Sequence, residues 1–381
     1  MKQSFEKILE TKKRKQLSPV NYTLLVYILL ILLLGTAMVF SASYPYGVSH
    51  NQDGTYYIKR HLIFLVIGLV VMLFLGRVQV KFYKKITPII YATCVVLLVL
   101  VLIGGFSEGL AKRWLGIPGT PLSFQPSEIM KLGLILMLSW YYDKIADKKR
   151  KLVNEIILPG IILFVPCALV LLEKHLSGTI ILALIGLFII FVSGVKISKM
   201  LLTYGTAGII GGGVFLLTNS YALKRIESFL NPNADILSDK WQTTQGLYAI
   251  GSGGLWGLGF WNSRQKYSYV SEPQNDFIFT IWCEEMGYIG AVLLISLYLL
   301  LVFQGFKIAF STDNIFSSMV AFGISSQIGI QAFLNMLVVT DMIPNTGISL
   351  PFFSYGGSSL VILLAEMGIL LSISREARLK K

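Results

Sequence analysis

Apolar residues dominate the chain in runs long enough to cross a bilayer, near 21–41, 61–76, 86–105, 127–142, 154–172, 177–194, 199–219, 277–304, 316–340 and 355–373. A helix rising 1.5 Å per residue needs roughly 20 such residues to span the hydrocarbon, so the pattern predicts an all-α integral membrane protein with ten transmembrane helices. The longest polar interval, residues 220–276, falls between predicted helices 7 and 8 and reads as one large loop on the outer face. Connections of this length are usually functional. Within it "QTTQGLYAIGS" carries enough apolar positions for a short helix lying against the membrane surface. With no internal repeat and no low-complexity linker, residues 1–381 read as a single membrane domain with polar tails at 1–20 and 374–381.

Charge sets the orientation. With the N-terminus inside, the inner segments hold 22 Lys and Arg and the outer segments 10, Lys131 falling inside a helix; positive residues accumulate on the cytoplasmic side, so both termini are expected in the cytoplasm of a multi-pass plasma-membrane protein. The first apolar run is too long for the core of a cleaved signal. Charged residues make up only 14% of the chain, and the net charge of +13 is spread along the flanks of apolar runs, which fits membrane lipids as partners and excludes a nucleic-acid surface. Cys94, Cys167 and Cys283 all lie in apolar runs, with no disulfide or metal spacing. His50, His61 and His175 are too few and too scattered for a metal cluster or a triad.

Chemistry concentrates where the polar interval meets the eighth run, in "WQTTQGLYAIGSGGLWGLGFWNSRQKYSYVSEPQNDFIFTIWCEEMGYIG", residues 241–290. Asp276 stands at that water–lipid boundary, where a carboxylate is costly unless it has a partner or a task. The alternative is an N-cap, since Asp before a helix accepts backbone N–H bonds. "GSGGLWGLG" supplies glycines for close backbone approach and positive φ, but no Lys-Ser/Thr follows, so it is no nucleotide loop. Glu284 and Glu285 cannot both be buried unpaired, and a structural role for them is at least as well supported as a catalytic one. Lys131, in "QPSEIMKL", is ionisable within an apolar helix; an ion pair with Glu128, a contact with Ser127 and an outside ligand are all open. Arg113 and Trp114 have lipid-headgroup anchoring as their alternative. "PNTGISLPFFSYGGSS", with two prolines and three glycines, reads either as a re-entrant segment lining a cavity or as an interhelical turn.

These same stretches carry a resemblance. The 241–290 stretch, "RWLGIPGTPLSFQPSEIMKL" at 113–132 and "NMLVVTDMIPNTGISLPFFSYGGSS" at 335–359 resemble, in order, the signature segments of the FtsW/RodA/SpoVE family, the SEDS proteins. The chain departs from the family pattern at Ser271 and Asn275, where Pro and Thr are usual, and at "EKHLSG", where many relatives carry a "QPDLG"-type sequence. Its length, tails and that turn lie closer to the division or sporulation branch than to the elongation branch. The resemblance implies a peptidoglycan glycosyltransferase that polymerises lipid II, releases undecaprenyl diphosphate, and partners a class B penicillin-binding transpeptidase. It implies Asp276 as general base in an inverting transfer, with no covalent sugar intermediate, by analogy with inverting hydrolases. Arg113, Trp114, Gln125, Ser127, Glu128, Lys131, Lys266, Glu272, Ser354 and Ser358 are the expected substrate contacts, with Lys112, Arg264 and Ser359 as further candidates. The leaving diphosphate needs positive charge, from these side chains or from a divalent cation such as magnesium. A lipid II flippase, or a scaffold that only recruits the transpeptidase, is the alternative function.

Overall fold

The computed structural model describes residues 20–107, 112–117, 123–146, 153–218, 220–231 and 240–378. Most of the predicted N-terminal tail and residues 379–381 lie outside the described residues.

Each of the ten apolar runs is helical. The first three helices are α1 (Tyr22–Asn51), α2 (Tyr56–Leu75) and α3 (Val80–Gly104), followed by a two-stranded antiparallel ribbon, β1 (Phe106–Ser107) and β2 (Lys112–Trp114). Next come α4 (Pro126–Ile145), α5 (Leu158–Leu172, entered through a π turn at Val153–Ile157) and α6 (Leu176–Val192). A short α7 (Ile197–Met200) joins α8 (Thr206–Thr218) through a second π turn, Leu201–Gly205. Then follow α9 (Ser220–Leu230), α10 (Trp241–Ser252), α11 (Ile278–Phe310), α12 (Ile315–Val339) and α13 (Gly357–Arg378).

Among the described residues, eight helices are long and apolar enough to cross a membrane, and the chain is a multi-pass membrane protein. Two of the ten predicted spans fall outside that group: α6 is short, and α4 carries Glu128, Lys131, Asp143 and Lys144. Several ends also differ from expectation. Asn21 caps α1, accepting from the Leu24 amide at 3.2 Å, and α1 continues well past residue 41 because polar Ser, Tyr and His side chains are tolerated on its outer turns. Asn314 caps α12. The interval 220–276 is not loop throughout; it holds α9 and α10, the latter packed on α11. The tail expected from 374 is helical to Arg378. The tightest helix pairings are α2 with α13 and α11 with α12.

α11 is broken one-third of the way along, at Gly287, whose φ of 67° and ψ of −167° lie outside the helical region. A break frees carbonyls and amides that lipid cannot satisfy, at several kcal/mol each. The glycine-rich segment 253–259 answers them. The Leu258 and Gly259 amides donate to the Glu284 and Glu285 carbonyls at 2.9 and 3.0 Å, and the Tyr288 and Ile289 amides donate to the Gly254 and Leu255 carbonyls at 2.9 and 3.2 Å. Two backbones approach so closely that a Cβ on Gly257, itself at φ +81°, would stand 2.2 Å from the Glu285 carbonyl oxygen.

Side chains reinforce this junction. Glu285 accepts from Ser41 Oγ at 2.7 Å and pairs with Lys266 Nζ at 2.9 Å, all three buried. Glu284 accepts from Ser263 Oγ and from the Arg264 amide at 3.0 Å. The two carboxylates are thus structural ties between α1, α11 and the loop.

Gly257→Ala is expected to destabilise the protein by on the order of 3 kcal/mol, the sum of a positive-φ penalty and a backbone clash. Gly254→Ala, where φ is +52° but nothing lies within 4 Å, is expected to cost only about 1 kcal/mol. Thermal unfolding in detergent measures both; equal losses would show that the Gly257 contact carries no energy.

Candidate functional site

One end of the bundle opens into a cavity of about 860 Å³. Its walls come from the end of α1 and the starts of α2, α4, α6 and α13, together with β2, the segment before α11 and the segment between α12 and α13. A volume of this size fits a substantial ligand.

The lining is built by three local devices. First, the Leu115 and Phe124 backbones bond to each other at 3.0 and 2.9 Å, which fastens the end of β2 to the start of α4 and brings Arg113 and Trp114 beside Gln125, Ser127 and Glu128. Second, residues 343–356 run without helix, lining the cavity at 347–349 and 355–356 and packing inside the protein at 350–354; Ile348, Leu350, Phe352 and Phe353 are each 3% exposed or less. Third, α12 answers that segment's carbonyls with amide side chains. Gln331 Nε2 donates to the Ser349 carbonyl at 3.1 Å, and Asn335 Nδ2 donates to the Ile348 carbonyl at 2.6 Å and to the Asp276 carbonyl at 2.8 Å.

Asp276 lies on the cavity wall. The N-cap alternative does not describe it: Phe277 holds the cap position of α11, with no side-chain cap bond. Gly347, at φ +65°, leaves room for its carboxylate, since a Cβ there would meet Asp276 Oδ2 at 3.0 Å. Partly open to the cavity but shielded from bulk water, the carboxyl is raised to about 6. Desolvation is the main cause and Glu272 adds to it, while Arg113 and Arg225 pull the other way. Glu272 sits at a strained φ of 46° and accepts from Asn275 Nδ2 at 2.7 Å.

Lys131 is 2% exposed, pairs with Glu128 at 2.9 Å, donates to Gln331 Oε1 at 3.0 Å, and still lines the cavity. Arg113 donates to the Lys174 carbonyl at 2.8 Å. His175 Nδ1 lies 3.2 Å from Gln125 Nε2 and 3.4 Å from Ser127 Oγ. Burial, then the charges of Arg113 and Lys131, lower its pKa to about 3, so the ring is a neutral polar group.

The structure therefore gathers Asp276, Arg113, Trp114, Gln125, Ser127, Glu128, Lys131, Glu272 and Ser358 in one cavity, with Ser359 and His175. Lys266 and Ser354 are not part of its lining. Lys266 is spent on Glu285, Ser41 and the Trp261 carbonyl, and Ser354 Oγ accepts from the Leu350 amide at 2.8 Å to shape the re-entrant turn. Lys112 and Arg264 also lie off the lining. Among the described residues no three His, Cys, Asp or Glu side chains converge as a metal-holding group.

Sequence reading missed Gln327, Gln331 and Asn335, which recur every fourth residue on one face of α12 and were recognisable by that spacing. It also missed Glu366, fully buried in α13 and held by Gln327 Nε2 at 3.0 and 2.8 Å.

Known proteins resemble the chain over nearly its full length. Stage V sporulation protein E of Bacillus subtilis is 38% identical over 96% of this chain and 99% of its own. The probable peptidoglycan glycosyltransferase FtsW of Geobacter sp. strain M18 is 34% identical over 94% of this chain and 98% of its own. Among solved structures, a chain of a peptidoglycan synthase complex that coordinates polymerization and crosslinking superposes with a TM-score of 0.77, at 25% identity over 94% of this chain and 98% of that one. The rod shape determining protein RodA of Thermus thermophilus gives a TM-score of 0.69 at 25% identity, over 94% of this chain and 97% of that one. The family model described as "Cell cycle protein", FTSW_RODA_SPOVE, matches residues 22–379, and the chain belongs to this FtsW/RodA/SpoVE family.

Proposed function

We propose that the protein is a peptidoglycan glycosyltransferase that polymerises lipid II, with Asp276 as the general base. One observation carries this reading: a carboxyl raised to about 6 on the wall of a cavity that also presents Arg113 and Lys131. A base works best with a pKa near the operating pH, and an ordinary Asp near 4 would be feeble. Asp276 takes the proton from the 4-hydroxyl of the acceptor sugar as its oxygen attacks the donor's anomeric carbon. The bond from that carbon to the diphosphate oxygen breaks, and configuration inverts. Negative charge develops on the departing undecaprenyl diphosphate, where Arg113 and Lys131 stabilise it. Glu128 and Gln331 hold Lys131 in place, while Trp114, Gln125, Ser127, Glu272 and Ser358 complete the polar wall. A divalent cation would add charge at the same diphosphate; of the carboxylates on the cavity wall, Glu128 is taken by Lys131, and Glu272 and Asp276 make at most a partial ligand set.

All ten helical runs cross the plasma membrane on this reading, with the cavity and residues 220–276 outside and both termini in the cytoplasm. The excess of Lys and Arg on the inner segments supports that orientation. Likeness to a chain of a peptidoglycan synthase complex supports a class B penicillin-binding transpeptidase as partner.

Purified protein supplied with lipid II, alone or with its transpeptidase, is expected to make glycan strands, and Asp276→Asn to make none. Normal polymerisation by Asp276→Asn, with lipid II translocation into liposomes by the same variant, would instead favour a flippase. Because the base must be ionised, kcat/KM, which reports the free enzyme, is expected to fall about tenfold per pH unit below an apparent pKa near 6 and to level above it. A flat kcat/KM profile between pH 5 and pH 8 would remove Asp276 from the chemistry.

Lys131→Met leaves the half-buried Glu128 carboxylate at the cavity without its partner and is expected to cost about 1–3 kcal/mol of stability as well as activity. Adding Glu128→Gln is expected to restore most of the stability and none of the polymerisation. Recovery of both would reduce Lys131 to a structural ion-pair member.

A further inference from the structure

The cavity has a second wall that Asp276, Arg113 and Lys131 leave unused. It is aromatic. Tyr57 and Tyr56 open α2 and Tyr355 closes the segment between α12 and α13; Tyr46, near the end of α1, stands behind them, off the lining. Tyr57 is the hub: its ring centre is 5.2 Å from Tyr355 at 87°, 5.1 Å from Tyr56 at 81°, and 5.7 Å from Tyr46 at 54°. His50 stacks on Tyr46 at 4.0 Å and Arg60 lies over the Tyr56 ring at 4.2 Å, so the outer members are braced as well. Edge-to-face contacts hold each ring at a set angle. A ligand meeting this wall therefore orders little that is not already ordered, and rigid aromatic surface of this kind binds at low entropic cost.

Polar groups frame the rings. Asn51, Glu272 and Asn275 line the same cavity, and Glu272 Oε1 accepts from the Tyr46 hydroxyl at 3.5 Å while its other oxygen takes the Asn275 amide. Glu272 thus ties the tyrosine wall to the segment that carries Asp276, four residues on. Ring faces are electronegative and ring edges electropositive. A pyranose has the matching form, with C–H groups of slight positive charge on its faces and hydroxyls around its edge. An acyl chain would strip water from the charged Glu272 and the Asn51 amide without offering either a hydrogen bond, at a desolvation cost.

We infer that the wall formed by Tyr57, Tyr355 and Tyr56, framed by Asn51 and Glu272, is a subsite for an N-acetylated hexosamine ring, and that it holds the acceptor sugar with its hydroxyl toward Asp276. The inference rests on the proposed polymerisation. It divides the cavity by ligand chemistry, with sugar on the tyrosine wall and diphosphate on the Arg113 and Lys131 wall.

The test uses full-length protein in nanodiscs and a soluble β-1,4-linked N-acetylhexosamine disaccharide lacking lipid and phosphate, with saturation-transfer NMR as readout. Wild type is expected to bind it. Tyr57→Ala is expected to weaken binding about tenfold, the worth of one stacked face, and Tyr57→Phe to keep it. Asn51→Ala, at an exposed rim position, tests the frame without disturbing the packed rings and is expected to weaken binding a few-fold. Unchanged binding by a folded Tyr57→Ala and by Asn51→Ala overturns the subsite, as does displacement of the disaccharide by inorganic pyrophosphate alone, which would assign the sugar signal to the cationic wall. Failure of the proposed reaction reads differently: glycan synthesis by Asp276→Asn would sink the base while leaving disaccharide binding, and its dependence on Tyr57, in place.

Discussion

Three amide side chains at four-residue spacing on α12 hold the centre of this protein together. Gln327, Gln331 and Asn335 face the same way, and each is fixed to a different neighbour: Gln327 to Glu366 of α13, Gln331 to Lys131 of α4 and to Ser349, Asn335 to Ile348 and the Asp276 carbonyl. The need behind them is general. Backbone that leaves helical form at membrane depth must find donors and acceptors within the protein, because lipid offers none. Residues 343–356 leave helical form so that Gly347, Ser349 and Tyr355 can reach the cavity, and the amide ladder makes that excursion affordable in hydrogen bonds.

The other irregular stretch is satisfied in a different way. At Gly287 the chain opens a helix and fills the gap with a second backbone, four amide-to-carbonyl bonds between 253–259 and 284–289. Only residues without a Cβ allow that approach, which is why glycines crowd there. Both solutions bear on Asp276. Its own carbonyl is held by Asn335, and the helix it introduces is anchored eleven residues later by the glycine junction and by the buried Lys266–Glu285 pair. The backbone that carries the carboxylate is thus fixed on both sides, and the carboxylate itself lies on the cavity wall.

What the amino-acid order made readable followed from contrast. Asp276, Lys131 and Glu128 stand out as charges against apolar surroundings, Arg113 sits beside a tryptophan in the segment between two spans, and their convergence follows from the alternation of spans, which puts all of them at one end of the bundle. Gln331 and Asn335 were hidden because an uncharged amide barely lowers the hydropathy of a 25-residue helix, although its four-residue period survives in the sequence. Glu366 was masked by the apolar run around it. Lys266 misled for the opposite reason: a lysine in an outer segment looks available, and only tertiary structure reveals that Glu285 has already claimed it. The tyrosine wall was illegible because its members come from elements almost 300 residues apart, α2 and the segment before α13, and ring angles have no signature in composition.

Electrostatics at Asp276 are a balance, and its composition gives the site a direction. Desolvation and Glu272 push the carboxyl toward its neutral form, while Arg113 and Arg225 favour the ionised form. Arg225 is itself tethered, donating to the Asn345 carbonyl at 2.6 Å, and it stands outside the cavity lining. Arg113 lines the cavity and, on the proposed reading, is with Lys131 a cation that a donor diphosphate would meet. On the proposed reading, a bound diphosphate offsets the Arg113 charge as seen from Asp276, and its own negative charge acts in the same sense. Both effects raise the proton affinity of the carboxylate. The base is therefore weakest when the cavity lacks a donor and strongest once a leaving group is in place, so proton removal from the acceptor is coupled to the presence of something for it to attack.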